Sequence, residues 1–200
     1  LANGVNPNSC SNFNTFSSGF YASSLTKHSD KVLGIAADIL LNPAFPQDEL
    51  DKKKKRAFSS LKSLATNADA IAGRVTSVLK YGKDHPYGEV QMKSDIENIT
   101  IDACKEYYDT YFRPNISYLV IVGDITVEDA KVLTEKYLGS WEKADVPEHK
   151  YEMPSVTKGV RVAFVNKPGA VQSVIKVIYP VDYKVGAPDA AAVSVMSSIF

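Results

Sequence analysis

Residues 50–65 read LDKKKKRAFSSLKSLA, and their apolar positions recur at the spacing of an α-helix. The predicted inward stripe of this helix comprises Leu50, Ala57, Leu61, Leu64 and Ala65. Lys54 falls on the stripe, and Ser60 lies beside it. The stretch therefore predicts one amphipathic helix that carries a dense run of cations and a pair of hydroxyl groups.

The composition is that of an ordinary globular protein, with 44% apolar and 23% charged residues. The 23 basic and 23 acidic side chains cancel, which argues against a general nucleic-acid or anionic-membrane surface. No apolar run approaches the roughly 18 residues needed to span a bilayer. Cys10 and Cys104 lack metal-ligand spacing, so we interpret them as buried thiols.

Helical periodicity recurs on both sides of residues 50–65. A helix capped by Ser29 precedes it, with the core stripe Val32, Leu33, Ala36, Ile39 and Leu40. A further helix is predicted at about residues 68–80, and two more start at the cap residues Thr100 and Thr126. The last helix, after Asp189, is unusually apolar.

Strands are predicted in three stretches. Residues 9–26, SCSNFNTFSSGFYASSLT, indicate a hairpin that turns at Ser18-Gly19. Residues 116–124, ISYLVIVGD, indicate a buried strand, and residues 160–180 indicate two strands around a Lys-Pro-Gly turn. We therefore expect an α+β fold, with an antiparallel-dominated sheet and helices packed on one face.

The expected domain organisation follows from the loss of periodicity in residues 143–159, which concentrate charge and proline and are predicted to be a linker. Residues 1–142 then form one domain. Residues 160–200 open a second, similar domain, because the strand–turn–strand–helix order of residues 9–41 recurs there. The chain starts at leucine and stops within an apolar helix, so we expect a piece of a longer protein, cut at both ends.

Familiar catalytic and metal-binding motifs do not occur in the sequence. His28, His85 and His149 have no second histidine or cysteine at metal-ligand spacing, and the serine-hydrolase elbow and the P-loop are absent. Asp84 and His85 are adjacent in sequence, and adjacent side chains rarely point at one reacting atom. A structural role in a loop is therefore favoured over an acid–base pair. The run from Lys52 to Arg56 is interpreted as a solvated helix face rather than a nucleic-acid site.

Several short motifs occur in an order along the chain that is similar to that of a known family. DKVLGIAADILLNPAFPQDELDKKKKRAFSSLKS, YGKDHPYG, IDACKEYYDTYFRPNISYLVIVGDI and TEKYLGSW follow one another along the chain. Together they resemble the pitrilysin or insulinase family of zinc peptidases over about residues 12–200. The resemblance implies the α/β roll of that family, in agreement with the predicted sheet.

The resemblance also implies where zinc ligands would lie. Family members carry an H-x-x-E-H motif on an early helix and a third ligand, a glutamate, on the helix after the N-P-x-F turn. This sequence holds no H-x-x-E-H, and an ungapped count places the glutamate position on Ser60, with Ser59 as the alternative. We therefore expect no metal ligand and no catalytic residue in this chain, and zinc in the parent protein or a partner domain.

By the same resemblance, the chain is an inactive domain that serves as chamber wall, peptide-contact and assembly surface for an active peptidase domain or subunit. Asn14, Thr15 and Phe16 resemble the edge strand on which the family binds peptide substrate. Nucleic acid and a membrane span are not expected. Two alternatives stay open, a fragment of an active zinc peptidase and a non-enzymatic core subunit. The sequence leaves the compartment open, the periplasm and cell envelope included.

Overall fold

The computed structural model describes residues 10–13, 18–152, 159–179 and 186–199, and helices dominate these residues. The helices there are α1 Ser29–Leu41, α2 Gln47–Thr66, α3 Ala68–Tyr81, α4 Lys93–Asn98, α5 Ile101–Tyr111, α6 Val127–Leu138 and α7 Ala190–Ile199. Short 3-10 helices cover Thr26–His28 and Pro114–Ile116. The chain divides into two compact units, Leu1–Ser63 with Gln91–Tyr151, and Leu64–Val90 with Glu152–Phe200.

The expected antiparallel-dominated sheet is wrong. The described residues contain two strands, β1 Cys10–Phe13 and β2 Ser18–Tyr21, which pair antiparallel with Cys10 opposite Tyr21 and Phe13 opposite Ser18. The predicted hairpin is present, but its turn is displaced, because Ser18 and Gly19 lie inside β2. The two strands are therefore joined by residues 14–17, which lie outside the described residues.

The other predicted stretches form no strand and have no ladder partner in the part of the molecule that the structure describes. Tyr118, Val120 and Val122 are 97%, 80% and 91% exposed, whereas a buried strand was expected there. In the second unit, Val162 and Ile175 are similarly exposed. β-Branched and aromatic composition favours an extended backbone, but a sheet forms only where a second strand supplies cross-strand contacts.

The predicted helices are confirmed, and three of them start at a side-chain cap. The side chains of Asn67, Thr100 and Thr126 accept backbone N–H bonds at the starts of α3, α5 and α6. The expected Ser29 cap is wrong, because the 3-10 helix Thr26–His28 leads directly into α1 and makes Ser29 its first residue. His28 occupies the N-cap position of α1, and its side chain makes no capping hydrogen bond.

The first unit is organised around the contact of α1 with α6. Asp30, Gly34 and Ala37 lie on one face of α1, and a Cβ built on Gly34 would lie 2.9 Å from Tyr137 Cε1. Ala37 and Ile96 are the buried apolar residues of the described chain, at 4% and 1% exposure. Small residues let the two helices approach closely. The core stripe predicted for α1 did not include Gly34 or Ala37. Ile39, expected in the core, is half exposed.

Candidate functional site

The hydroxyl pair of α2 occupies the exposed side of a long helix. The turn before this helix contains Phe45, a non-glycine residue in the left-handed region with φ of 45°, whose ring meets Tyr108 edge-on at 5.8 Å. Ser59 and Ser60 lie in the second half of α2, and both are exposed. Ser59 Oγ donates to the Lys55 carbonyl at 3.1 Å. This hydroxyl is thus engaged by the backbone of its own helix.

The inward stripe of α2 is confirmed over its first turns. Leu50, Ala57 and Leu61 are half-buried, but Leu64 is exposed, so the last turn of the predicted stripe is wrong. Lys54 is half-buried on this stripe, and its Nζ donates to the Glu97 carbonyl at 3.0 Å. Lys54 therefore satisfies a carbonyl in the last turn of α4, where helices leave such acceptors unpaired.

The first turn of α2 neutralises one lysine of the run. Lys52 Nζ lies 2.9 Å from Asp48 Oδ2 and 2.7 Å from Glu49 Oε1. Hydrogen bonding to Glu49, and then to Asp48, raises the pKa of Lys52 above its ordinary value. Acidic groups near the start of a helix also complement its dipole.

The residues at the Ser59–Ser60 position do not fit a zinc site. Protein zinc sites use thiolate, imidazole or carboxylate ligands, and the nearest acids along the chain, Asp51 and Asp69, lie more than two helical turns away. Within the described ranges, no group of three or more His, Cys, Asp or Glu residues could hold a metal ion. No catalytic step through a metal follows from this helix.

The loop of residues 81–88 is packed by its own side chains. The His85 ring stacks on Tyr81 at 5.3 Å and contacts Tyr87 at 5.1 Å. The Tyr87 N–H donates to His85 Nδ1 at 3.1 Å, which assigns the proton of a neutral ring to Nε2. Gly88 is buried, and a Cβ there would lie 1.8 Å from the Gly82 carbonyl oxygen. These contacts favour the structural role expected for the loop.

Sequence reasoning missed a set of contacts between the end of α5 and the segment that follows α6. Asn115 Nδ2 donates to the Ala144 carbonyl at 3.1 Å, and the Ala144 N–H donates to Asn115 Oδ1 at 3.4 Å. Tyr111 OH and His149 Nε2 form a hydrogen bond at 2.7 Å. The R-P-N motif contains Asn115, but nothing local indicates a partner 29 residues away.

The remaining expected positions lie away from α2 in sequence. Asn14, Thr15 and Phe16 lie outside the described residues. Cys104 is a free, half-buried thiol on α5. Across the described part of the chain, no helix is both long and apolar enough to cross a bilayer.

Comparison with models of known protein families shows the family of this chain. A family model described as the peptidase M16 inactive domain matches residues 98–200. The chain belongs to this family. The resemblance to pitrilysin-type peptidases seen in the sequence is thereby confirmed.

Two further proteins are similar to this chain. A Bacillus subtilis (strain 168) protein named uncharacterized zinc protease YmxG is 26% identical over 125 residues. That match covers 62% of this chain and 30% of the relative, so the chain spans less than a third of its length. The crystal structure of the first half of the periplasmic protease PqqL from Escherichia coli matches with a TM-score of 0.51 and 16% identity. It covers 68% of this chain and 29% of the other, and it shows a shared fold.

Proposed function

We propose that this chain is a catalytically inert domain of a larger zinc peptidase-like protein. In this role it forms a wall of the peptide chamber and an assembly surface for an active domain or subunit, which binds the zinc. The observation that supports this most directly is the exposed hydroxyl pair Ser59 and Ser60, onto which an ungapped count from Asn42-Pro43 puts the family's carboxylate ligand. The M16 inactive-domain match points in the same direction.

The contacts around α2 suit a supporting role. Lys54 holds the end of α4 through the Glu97 carbonyl, and Tyr108 OH on α5 donates to the Leu40 carbonyl at 2.6 Å. These hydrogen bonds join α2 to α4 and α5 to α1, and both end on backbone carbonyls. A rigid surface is what a chamber wall requires, since a docking partner then meets it with little ordering of side chains.

A second candidate is supported by the name of the Bacillus relative, a zinc protease. In that case the chain is a fragment of an active zinc peptidase whose H-x-x-E-H motif lies elsewhere in the protein. The two candidates differ in whether this domain takes part in the metal site of the larger protein.

Two finer features belong to the same proposal. Peptide substrate would contact Asn14, Thr15 and Phe16 by strand addition, which uses backbone donors and acceptors of an edge. Residues 1–142 and 160–200 would belong to two similar domains joined by residues 143–159. Limited proteolysis tests this division, because the first cuts are expected within residues 143–159 and not within residues 30–140. First cuts inside the helical region would contradict it.

Zinc titration of the isolated chain tests the inert-domain proposal. We expect no tight one-to-one zinc site in the wild-type chain by calorimetry. Ser60→Glu restores one carboxylate, and without two histidines it too is expected to bind only weakly, since catalytic sites use three protein ligands. Ser60→Ala is the matched control. A submicromolar stoichiometric site in the wild-type chain would overturn the proposal.

The full-length protein separates the two candidates. The double substitution Ser59→Ala with Ser60→Ala is expected to leave its zinc content and peptide hydrolysis unchanged if α2 is inert. Loss of zinc together with loss of hydrolysis would instead support the active-fragment candidate. Circular dichroism checks that α2 is retained, which is expected because alanine is a better helix former than serine.

A further inference from the structure

The basic side chains of α2 are segregated along the helix. α2 carries acidic residues only at Asp48, Glu49 and Asp51, and every charged side chain from Lys52 to Thr66 is a cation. Since the whole chain has equal numbers of basic and acidic residues, this concentration is local and is balanced by acids elsewhere. The charge of α2 is therefore a property of one surface and not of the overall composition.

Four of these cations lie on the exposed half of α2 and form what we term the cationic face, namely Lys53, Lys55, Arg56 and Lys62. Lys53 and Lys62 lie at opposite edges of this half, because nine residues at about 100° each end about half a turn round the helix. All four are exposed, and none forms an ion pair with another described residue. By contrast, Lys52 pairs within α2, and Lys136 pairs with Asp30 on α1. Lys27, Lys31 and Lys143 are also exposed and without an ion pair among the described residues, but they lie singly on different segments, whereas four such cations follow one another along α2.

The cationic face repels itself along the helix. Lys53 and Arg56 are three residues apart, a spacing at which like charges on a helix destabilise it. An anionic group bound at the face relieves this repulsion. The gain adds to the direct attraction between opposite charges.

We propose that the cationic face of α2 binds an acidic polypeptide segment of a partner chain. The face from Lys53 to Lys62 spans about 13 Å at the helical rise of about 1.5 Å per residue. An extended chain covers that distance in about four residues, at about 3.3 Å each. Ser60 lies within the face, is exposed and makes no hydrogen bond to another described residue, so its hydroxyl supplies a short-range donor to carboxylate oxygens.

The chemistry of the face favours acidic polypeptide over nucleic acid and over lipid. Single-stranded nucleic acid is bound by aromatic rings that stack on bases, and the aromatic residue nearest this face along α2, Phe58, is half-buried. Membrane-surface helices place exposed apolar side chains next to their cations, whereas serines lie between the cations of this face. The inference goes beyond the proposed function, and it holds or fails independently of the zinc experiments.

Fluorescence anisotropy with the full 200-residue chain tests the inference. The probe is a labelled peptide of about eight consecutive glutamates, long enough to cover the face at about 3.3 Å per residue. We expect saturable binding at about 20 mM salt that weakens at least about tenfold at about 150 mM, because exposed charges are screened. A lysine peptide of equal length is expected not to bind.

The decisive variant replaces three cations of the face together, Lys55→Gln, Arg56→Gln and Lys62→Gln. It is expected to weaken binding at least about tenfold while keeping helicity, because glutamine is a good helix former. The matched control, Lys27→Gln, Lys31→Gln and Lys143→Gln, removes the same charge from exposed and unpaired positions and is expected to weaken binding less than about twofold. Equal losses in both variants, or no binding by the wild type, would overturn the proposal.

Two further probes distinguish the classes of partner. An oligothymidylate of similar length and vesicles with phosphatidylserine are titrated against the wild type and the face variant. We expect both to bind more weakly than the glutamate peptide. If either binds as tightly and loses its affinity in the face variant, the assignment to acidic polypeptide is wrong.

Discussion

Lys136 Nζ lies 2.6 Å from Asp30 Oδ1, and Tyr137 OH donates to Oδ2 of the same carboxylate at 2.9 Å. Two neighbouring residues of α6 thus hold one side chain in the first turn of α1 from 106 and 107 residues away in sequence. Asp30 and Lys136 are exposed, so water screens their attraction. The contact therefore sets the alignment of α1 and α6 more than it stabilises the fold.

Asp30→Asn is expected to lower the stability of the chain at neutral pH. The hydrogen bond to Lys136, and then that to Tyr137, lowers the pKa of Asp30 below the ordinary 3.8. A carboxyl whose pKa is depressed in the folded state stabilises the fold above its ordinary pKa, and this stabilisation disappears as pH falls through the folded value. Urea titrations should give a lower free energy of unfolding for the variant than for wild type at pH 7. The two free energies should converge at pH values well below the ordinary pKa of 3.8.

Glu106→Gln is the matched control for Asp30→Asn, because Glu106 is exposed and has no partner in the described chain. It should change stability little at either pH. Equal effects of Asp30→Asn and Glu106→Gln would refute this account.

The pH dependence of stability has the opposite direction for Lys136, whose pKa is raised mainly by its bond to Asp30. Its contribution is present at neutral pH and is lost as pH rises above the ordinary 10.5.

Gly34→Ala is expected to destabilise the chain by about 1–3 kcal/mol, the usual range for overpacking. The added Cβ meets the Tyr137 ring at 2.9 Å, and the hydroxyl of that ring is held by Asp30. In a Tyr137→Ala background the clash is gone, so Gly34→Ala should stabilise by about 0.5–1 kcal/mol because alanine favours a helix over glycine. Thermal unfolding of wild type, Gly34→Ala, Tyr137→Ala and the double variant measures this reversal. If Gly34→Ala destabilises the chain in both backgrounds, or stabilises it in both, the clash with Tyr137 is absent.

Lys54→Met is expected to cost about 1 kcal/mol of unfolding free energy. Methionine keeps the apolar stem on the inward stripe, but the Glu97 carbonyl loses its donor. Lys53→Met is the control, since Lys53 is exposed and donates to no described residue. Chemical denaturation of both variants suffices. If they lose the same stability, the bond between α2 and α4 contributes nothing measurable.

Tyr108→Phe is expected to destabilise by about 0.5–1.5 kcal/mol, the usual net value of one hydrogen bond. The change deletes the donor to the Leu40 carbonyl and leaves the ring packed on Phe45. Burial raises the pKa of the Tyr108 hydroxyl, so it stays a donor throughout the neutral range. Tyr107→Phe, at a half-exposed ring without such a bond, should be close to neutral. A loss in Tyr107→Phe that matches the loss in Tyr108→Phe would contradict the prediction.

The helices are predictable because their signals are local. Thr100 and Thr126 each precede their helix and accept the N–H three residues on, so the sequence within one turn determines the start. Periodicity places Ile39 in the core because it selects large residues. The face of α1 that meets α6 is instead built on Gly34 and Ala37, and smallness is a weak signal in sequence.

The sheet is overpredicted for the converse reason. Val120 and Val162 lie in segments with the composition of strands, but pairing depends on a second segment that a local pattern does not specify. For the candidate site, the count from Asn42-Pro43 that leads to Ser60 stays a prediction. The bond of Ser59 to the Lys55 carbonyl is not predictable from the sequence, because a serine in a helix can equally well face solvent.

The reciprocal bonds of Asn115 with Ala144 have a consequence for how this protein tolerates change. Asn115 presents an amide that both donates to and accepts from the main chain of Ala144, as a neighbouring peptide unit would. Any residue other than proline offers the same two groups at position 144, whereas only asparagine offers this short amide at position 115. Genetic drift should therefore be permissive at one end of the contact and tightly restricted at the other.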